Sequence, residues 1–288
     1  EEAQSRGHDL CVYNPNSLTF NQGKIVAKVR SITLKRKIGD HVTFGDQEIK
    51  ELSEFDVIWL RQDPPFDMGY ITTTHLLDMV GQETLIVNNP FWVRNLPEKL
   101  LVLEFPELIP NTLITRDLEE IKEFKREFGD IIIKPLYGNG GAGVFRLKEN
   151  DKNLVSLHEL FSNISSEPLI AQEFLPDVKN GDKRIILVDG EPVGAINRVP
   201  LAGETRSNMH VGGQAQPVKL TERDREICKV IGPTLKNKGQ IFVGIDVIGK
   251  YLTEINVTSP TGIQELERFD QINVAEIIWQ TLEEKFKN

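Results

Sequence analysis

One run near the C-terminal end, Gly244-Ile245-Asp246-Val247-Ile248-Gly249-Lys250-Tyr251-Leu252-Thr253-Glu254-Ile255-Asn256, constrains the fold more than any other. Apolar and polar residues alternate on both sides of Gly249, the pattern of two strands joined by a tight turn. A three-residue loop over 249–251 pairs Ile248 with Leu252 and sets Asp246 opposite Glu254. Asn256, two residues on, shares their face, while Ile245, Val247, Ile255 and Val257 bury the other. Two carboxylates facing one another repel, and a cation between them removes the penalty. Hard oxygen donors of this kind, completed by phosphate and water, suit magnesium better than zinc. The alternative is a solvated hairpin face; Asn256 and the following Thr258-Ser259-Pro260-Thr261 weigh against it.

The rest of the chain reads as α/β. Glu2 to Arg6 is the end of a helix stopped at Gly7, and Leu10 to Tyr13 is extended. A chain opening in mid-helix is unusual for an α/β domain, so an initial strand and loop are expected before Glu1. Residues 18–50 are polar and strand-rich and predict exposed hairpins. Phe55 to Leu60 is a near-continuous apolar run, as in a parallel strand covered on both faces. It ends in Arg61-Gln62-Asp63-Pro64-Pro65-Phe66-Asp67, at the strand edge where open α/β sheets bind ligands. A helix over 71–80 and a strand over 84–88 complete a small domain ending near residue 95. From Pro97 the pattern changes. Helices are expected over 99–105, from Asp117 to 128, over 152–162, from Thr221 to about 238, and over 272–286. Strands are expected over 130–135, 144–148, 169–174, 183–188, 191–198, 241–248 and 252–257. Residues 199–216 form a long glycine-containing loop, which in a compact domain is commonly a functional lid or else disordered.

Three further constellations carry chemistry. Lys134-Pro135-Leu136-Tyr137 leads into Gly138-Asn139-Gly140-Gly141-Ala142-Gly143. Glycines let backbone N–H groups converge on phosphate oxygens, and the lysine supplies a point charge. Because this loop joins two strands, it is neither the strand–helix phosphate loop nor the dinucleotide fingerprint; a flexible hairpin beside a surface lysine fits the same residues. Arg184 begins a strand, Arg198 ends one and Arg206 lies in the long loop. Arginine on a closing loop can stabilise charge on a transferring phosphoryl group, although a solvated basic loop fits equally. Ala171-Gln172-Glu173-Phe174-Leu175 leaves a strand, either as an ordinary strand end or as a hinge recognising an adenine edge.

Composition narrows the function classes. Of 288 residues, 34 are basic and 43 acidic, a net charge of −9 that argues against nonspecific nucleic-acid binding and against docking on anionic lipid. No stretch approaches the roughly 20 apolar residues of a membrane span. Cys11 and Cys228 form no metal-binding spacing and no disulfide framework, and a reducing cytosol is the simplest reading. The five histidines form no cluster and no serine–histidine–acid arrangement is legible, so nucleophilic protein catalysis has little support.

Taken in order, the Arg61–Asp67 turn, Asn95-Leu96-Pro97-Glu98-Lys99-Leu100, Ile133-Lys134-Pro135-Leu136 with its glycine turn, Gly181-Asp182-Lys183-Arg184, Gly203-Glu204-Thr205-Arg206, Ile231-Gly232-Pro233-Thr234-Leu235, Gly244-Ile245-Asp246 and Thr253 to Thr261 resemble the ATP-grasp superfamily, most closely the bacterial glutathione synthetases. The resemblance spans essentially the whole chain. Its last run and the Arg61 turn are specific to the family. It implies an N-terminal parallel-sheet substrate domain over residues 1–95 and an ATP-grasp domain over 96–288, with lobes 96–170 and 171–288. The implied activity joins γ-glutamylcysteine to glycine while ATP becomes ADP and phosphate. On that resemblance Lys99 and Lys134 hold the ATP phosphates under Gly138, Asn139, Gly140, Gly141 and Ala142, and Gln172, Glu173, Phe174 and Leu175 form the adenine hinge. Asp246, Glu254 and Asn256 ligate two magnesium ions, with manganese the alternative. Arg198 and Arg206 sit over the acyl phosphate. Arg61, Arg184, Asn256, Thr258, Ser259, Pro260 and Thr261 line the dipeptide and glycine pocket. The resemblance further implies a cytoplasmic homo-oligomer, tetramer or dimer. Two departures from the family pattern stand out: the first strand and loop are absent before Glu1, and Ser207-Asn208-Met209-His210 is bulkier than a glycine-rich lid. The competing readings are a ligase for another acid and amine pair and a non-catalytic ATP-binding regulator.

Overall fold

The computed structural model describes residues 1–138, 140–201 and 213–287. A short helix α1 (Glu2–Ser5) leads into β1 (Cys11–Tyr13), and the polar stretch that follows forms the expected hairpins, β2 (Thr19–Asn21), β3 (Lys24–Leu34) and β4 (Val42–Glu51). All are antiparallel, with β3 pairing to each of the other three. Period-two alternation explains the set of β3: Ile25, Ala27 and Val29 are buried, while Lys24, Lys28 and Arg30 face out. The parallel pair is β5 (Val57–Trp59) with β6 (Leu85–Val87), and helix α2 (Met68–Asp78) is the crossover between them. Asp67 caps α2, its side chain accepting from the Tyr70 amide at 3.0 Å. A further short helix, α3 (Pro90–Asn95), was not expected from the sequence; Asn89 caps it and Pro90 occupies its first turn.

Helix α4 (Glu98–Leu101) opens the next unit, followed by β7 (Thr112–Thr115), α5 (Leu118–Phe128), β8 (Ile131–Pro135), β9 (Phe145–Leu147), α6 (Leu154–Ile164) and β10 (Leu169–Glu173). The strands form an antiparallel sheet in the order β7-β10-β8-β9. One face is covered by α5 and α6 around Ile121, Ile131, Ile133, Leu157 and Leu169. The other side of β8 and β10 bears Lys134 and Gln172.

A second antiparallel sheet has the order β13-β12-β11-β14-β15, with β11 (Asp182–Val188), β12 (Glu191–Val199), β13 (Gln214–Pro217), β14 (Phe242–Ile248) and β15 (Tyr251–Asn256). Helix α7 (Glu222–Asn237) packs on one face through Ile227, Ile231 and Leu235, in the same core as Ile185, Val243 and Ile255. Helices α8 (Ile263–Asp270) and α9 (Val274–Lys287) cover the other through Leu266, Val274, Ile278 and Leu282. Approach of α7 is close at one point: a Cβ on Gly232 would lie 2.5 Å from the Gly190 carbonyl oxygen. Among the described residues no helix is long and apolar enough to cross a membrane. Both cysteines are free, Cys11 half-buried and Cys228 buried, with burial pushing the Cys228 thiol up to about 12.

The β14–β15 turn differs from the expected one. Ile248 pairs with Tyr251, so the loop is the two residues Gly249 and Lys250, not three. Gly249 supplies the positive φ of +58° that such a turn needs. A bulge then inserts Thr253 opposite no partner, and the register returns with Asp246 opposite Glu254 and Gly244 opposite Asn256. The shorter turn and the extra residue cancel, which is why the expected acid pair survives a wrong loop length.

One side chain joins the parallel pair to this sheet. The buried Asn88 donates to the carbonyls of Phe242 and Val257, both at 2.7 Å, and accepts from the Phe242 amide at 2.9 Å.

Candidate active site

A cavity of about 620 Å³ lies between the four-stranded and five-stranded sheets. Its wall includes Ile132, Lys134 and Gln172 from the first sheet, and Arg184, Arg198, Asp246, Glu254 and Asn256 from the second. The hinge residues Glu173, Phe174 and Leu175, the glycine-turn residues Gly138, Gly140, Gly141 and Ala142, and the 258–261 loop complete it, with Arg61 and Lys99. Every site residue expected from the sequence that falls among the described residues therefore faces one space. Asn139, Arg206 and most of the expected lid lie outside the described residues.

At the centre, β14 and β15 present Asp246, Glu254 and Asn256 on one face, as the period-two pattern requires. Asp246 is buried and shared by two arginines. Arg184 approaches through Nε at 2.5 Å and Nη2 at 3.1 Å, and Arg198 through Nη2 at 2.9 Å. Arg198 Nη2 also lies 2.5 Å from Asp182. Burial by itself would raise the Asp246 carboxyl, but the two guanidiniums outweigh it and bring it down to about 2. Burial likewise works against the Arg198 cation, and the Asp182 and Asp246 carboxylates reverse that effect. Glu254 is less committed: its side chain is 25 % exposed and, among the described residues, its nearest cation is the Lys134 ammonium at 3.9 Å. Asn256 donates its amide to the Gly244 carbonyl at 3.1 Å and to Asp246 at 3.3 Å, two bonds that do not use its acceptor oxygen.

Lys134 is buried on β8. Burial pushes its ammonium down from the ordinary lysine value, and the Glu254 carboxylate opposes that shift. It donates to Gln172 Oε1 at 3.3 Å, and Gln172 in turn donates to Thr112 at 2.8 Å. Lys99, on α4, donates to the carbonyl oxygens of Gly138 and, at 3.4 Å, Pro135, so it grips the stem of the glycine turn. The wall also includes the apolar side chains of Ile132, Val144, Leu175, Val178 and Ile248. Phe174 is backed by the Arg146 guanidinium, 3.6 Å above its ring, which Asp130 holds at 2.6 Å.

At the opposite end, the loop after β15 is held by arginines through its backbone. Both terminal nitrogens of Arg61 lie 3.3 Å from the Pro260 carbonyl, and Arg184 Nη1 lies 3.3 Å from the Thr261 carbonyl. Gly244 permits this arrangement, since a Cβ there would stand 2.9 Å from Pro260 and 3.0 Å from Arg184.

Three acids in the wall were given no role from the sequence. Asp63 lies in the Arg61–Asp67 turn. Asp182 heads the Gly181-Asp182-Lys183-Arg184 run and partners Arg198. Glu98 precedes Lys99 and accepts from the Thr258 hydroxyl at 2.6 Å. All three lie within motifs that carry the resemblance, where a nearby cation, Arg61, Lys99 or Arg184, is the residue with a role. Among the described residues, no group of three or more His, Cys, Asp or Glu converges as a metal site. The donors here are two carboxylates and an amide, which fit a hard divalent cation only if phosphate or water completes the shell.

The family model described as prokaryotic glutathione synthetase, ATP-grasp domain, matches residues 98–271, and its N-terminal domain counterpart matches residues 1–94. A glutathione synthetase from Brucella melitensis is 60% identical over 98% of this chain and 90% of its own length. One from Mesorhizobium japonicum is 57% identical over 99% and 91%. Among solved structures, a RimK domain ATP-grasp protein from Sphaerobacter thermophilus superposes with a TM-score of 0.65 at 16% identity, covering 96% of this chain and 90% of that one, a likeness of fold alone.

Proposed function

From the fact that the chain belongs to the prokaryotic glutathione synthetases, ATP-dependent ligases of the ATP-grasp fold that form a C–N bond, we propose that its central cavity couples ATP hydrolysis to the joining of γ-glutamylcysteine and glycine. The observation that supports this most is the convergence on one 620 Å³ space of a buried lysine, a glycine turn, an apolar hinge, an acid pair and an arginine-held loop.

The chemistry follows from those parts. A carboxylate acylates poorly because oxide is its leaving group. Transfer of the γ-phosphoryl group from ATP breaks the bond to the β-phosphate and forms an acyl phosphate with ADP as product. The amine nitrogen then attacks the acyl carbon, the C–O bond to phosphate breaks, inorganic phosphate leaves and the nitrogen gives up a proton. Phosphoryl transfer needs positioning and neutralisation of charge more than a protein nucleophile. Lys134 and Lys99, with the amides of Gly138, Gly140, Gly141 and Ala142, hold the phosphates. Gln172, Glu173, Phe174 and Leu175 take the adenine. Arg198 faces the acyl phosphate, Arg206, outside the described residues, is assigned to the same charge, and Arg61, Arg184 and residues 258–261 orient the dipeptide and amine. Asp246, Glu254 and Asn256 would hold magnesium or manganese, two ions in this reading, which neutralises phosphate charge when bound.

The same reading divides the chain into a substrate domain over 1–95 and an ATP-grasp domain over 96–288 with lobes 96–170 and 171–288. It places the protein in the cytoplasm as a homotetramer or homodimer, which light scattering on the purified protein would test.

An ADP-release assay tests the assignment. Turnover with γ-glutamylcysteine and glycine should exceed that with other acid and amine pairs. Preference for a different pair would assign another ligase of the same fold. Nucleotide binding with no ADP from any pair would favour the regulator. Glu254→Ala should lose activity by about a thousandfold or more with its melting temperature preserved; unchanged turnover would remove Glu254 from the metal set.

A further inference from the structure

The short helix α4 touches both ends of the cavity with adjacent side chains. Lys99 donates to the Gly138 and Pro135 carbonyls at the phosphate end. Glu98 accepts from the Thr258 hydroxyl at 2.6 Å, at the start of the 258–261 loop. We propose that Glu98 is a positioning residue for the ligation: through Thr258 it fixes the substrate loop relative to the glycine turn held by Lys99, so that one helical turn sets the spacing between acyl acceptor and phosphoryl donor.

The inference rests on the reading that the 258–261 loop lines the substrate pocket. The loop's other anchors are guanidinium contacts to backbone carbonyls, Arg61 to Pro260 and Arg184 to Thr261, each at 3.3 Å. The Glu98–Thr258 bond is the shortest of these and among them uses a loop side chain. Without it the loop's N-terminal end is held only from behind, by β15 and by the Asn88 bond to the Val257 carbonyl at 2.7 Å, among the described residues, while both arginines, free to turn about long side chains, hold the far end. Burial of Glu98 and the nearby Glu254 carboxylate push its carboxyl above the ordinary glutamate value, while the Thr258 hydrogen bond opposes them. Protonation does not remove the acceptor, because the acid keeps a carbonyl oxygen. The role is therefore one of placement, and an amide can fill it.

Steady-state kinetics with each substrate varied in turn tests this. Glu98→Ala should raise KM for γ-glutamylcysteine or glycine by about tenfold, the loss of roughly one buried hydrogen bond to a charged group, while KM for ATP changes by less than about twofold. Glu98→Gln should bring KM back to within about threefold of the parent, since its amide oxygen accepts from Thr258. Thr258→Val should match Glu98→Ala, and the double variant should add little. Equal impairment of Glu98→Gln and Glu98→Ala would overturn the proposal and mark the carboxyl's proton as what matters. So would a Glu98→Ala effect confined to ATP, or no effect at all. If Glu98→Ala fails to fold, Glu98→Gln and Thr258→Val carry the test. A parent enzyme releasing no ADP with this pair refutes the functional reading, whereas a turning-over parent with insensitive variants refutes the role of Glu98 alone.

Discussion

Lys134 and Asp246 show opposite uses of burial by single residues. Lys134 is buried with its nearest carboxylate among the described residues at 3.9 Å, so its charge is poorly compensated and its ammonium is pushed down. Lys134→Met should leave the melting temperature unchanged or raise it, because a buried, underpaired charge is replaced by an apolar chain of similar length. ATP affinity measured by calorimetry should fall by about tenfold or more with the loss of that phosphate contact. A destabilised variant with full affinity would contradict this account. Asp246 is the reverse case, a buried carboxylate compensated by two guanidiniums. Its carboxyl lies below the ordinary aspartate value in the folded chain, so its contribution is fully present above the unfolded value of about 3.9 and is lost as pH falls toward about 2. Circular dichroism across that window should show Asp246→Asn, less stable at neutral pH, losing less further stability on acidification than the parent. Parallel acid limbs would argue against the ion pair. The acids on the hairpin face were legible in the sequence because period two is a strong signal. That Arg184 and Arg198 would converge on Asp246 was not, because Arg184 lies on the adjacent strand β11 and Arg198 on β12, one strand further, and no local pattern states either register.

Elements packed at a single close approach are sensitive to one methyl group. Helix α7 meets the β11–β12 turn at Gly232 and Gly190, where a Cβ on Gly232 would sit 2.5 Å from a carbonyl oxygen. Backbone cannot yield as a flexible side chain can. Gly232→Ala should therefore destabilise by about 1–3 kcal/mol in denaturant unfolding despite the better helix propensity of alanine. ADP release per folded molecule should hardly change. A stabilised Gly232→Ala would mean that the helix stands further from the turn. The Gly232-Pro233 pair sits inside an amphipathic helix that was predicted over nearly its true length, because Ile227, Ile231 and Leu235 keep helical spacing through it. By contrast α3 and α8 were missed: each is brief, and the six-residue α3 lies beside Asn89-Pro90, which reads as a turn until a cap is seen. The β14–β15 hairpin was predicted with the wrong turn and the right acid pairing, since the Thr253 bulge restores a register that the loop length shifts.

At the scale of the whole molecule, the parallel pair and the five-stranded sheet are locked by Asn88. Three buried hydrogen bonds run from one amide to β14 and to the residue following β15, the same strands that carry the acid face. Asn88→Ala should destabilise by at least about 2 kcal/mol, since it leaves buried backbone groups without partners. Loss of activity should accompany it well below the unfolding temperature, as the Arg61 turn loosens from Pro260. A variant of parental stability would show that water or a neighbour takes over those groups. Nothing in the sequence around Asn88 announces this role; the partners are more than 150 residues away. The alternation of apolar strands and helices conveyed the architecture, whereas the joint that fixes one unit on another adds to its apolar contacts a buried polar side chain that no pattern announces.

The walls of the cavity carry charges of both signs in near balance: five basic side chains, Arg61, Lys99, Lys134, Arg184 and Arg198, and six acidic ones, Asp63, Glu98, Glu173, Asp182, Asp246 and Glu254, among the described residues. Such a mouth casts only a weak field into solvent. A polyanion drifting past the acidic exterior feels little pull over distances beyond the Debye length of about 8 Å. Capture must then be governed by fit after arrival, and the encounter rate should respond only mildly to added salt.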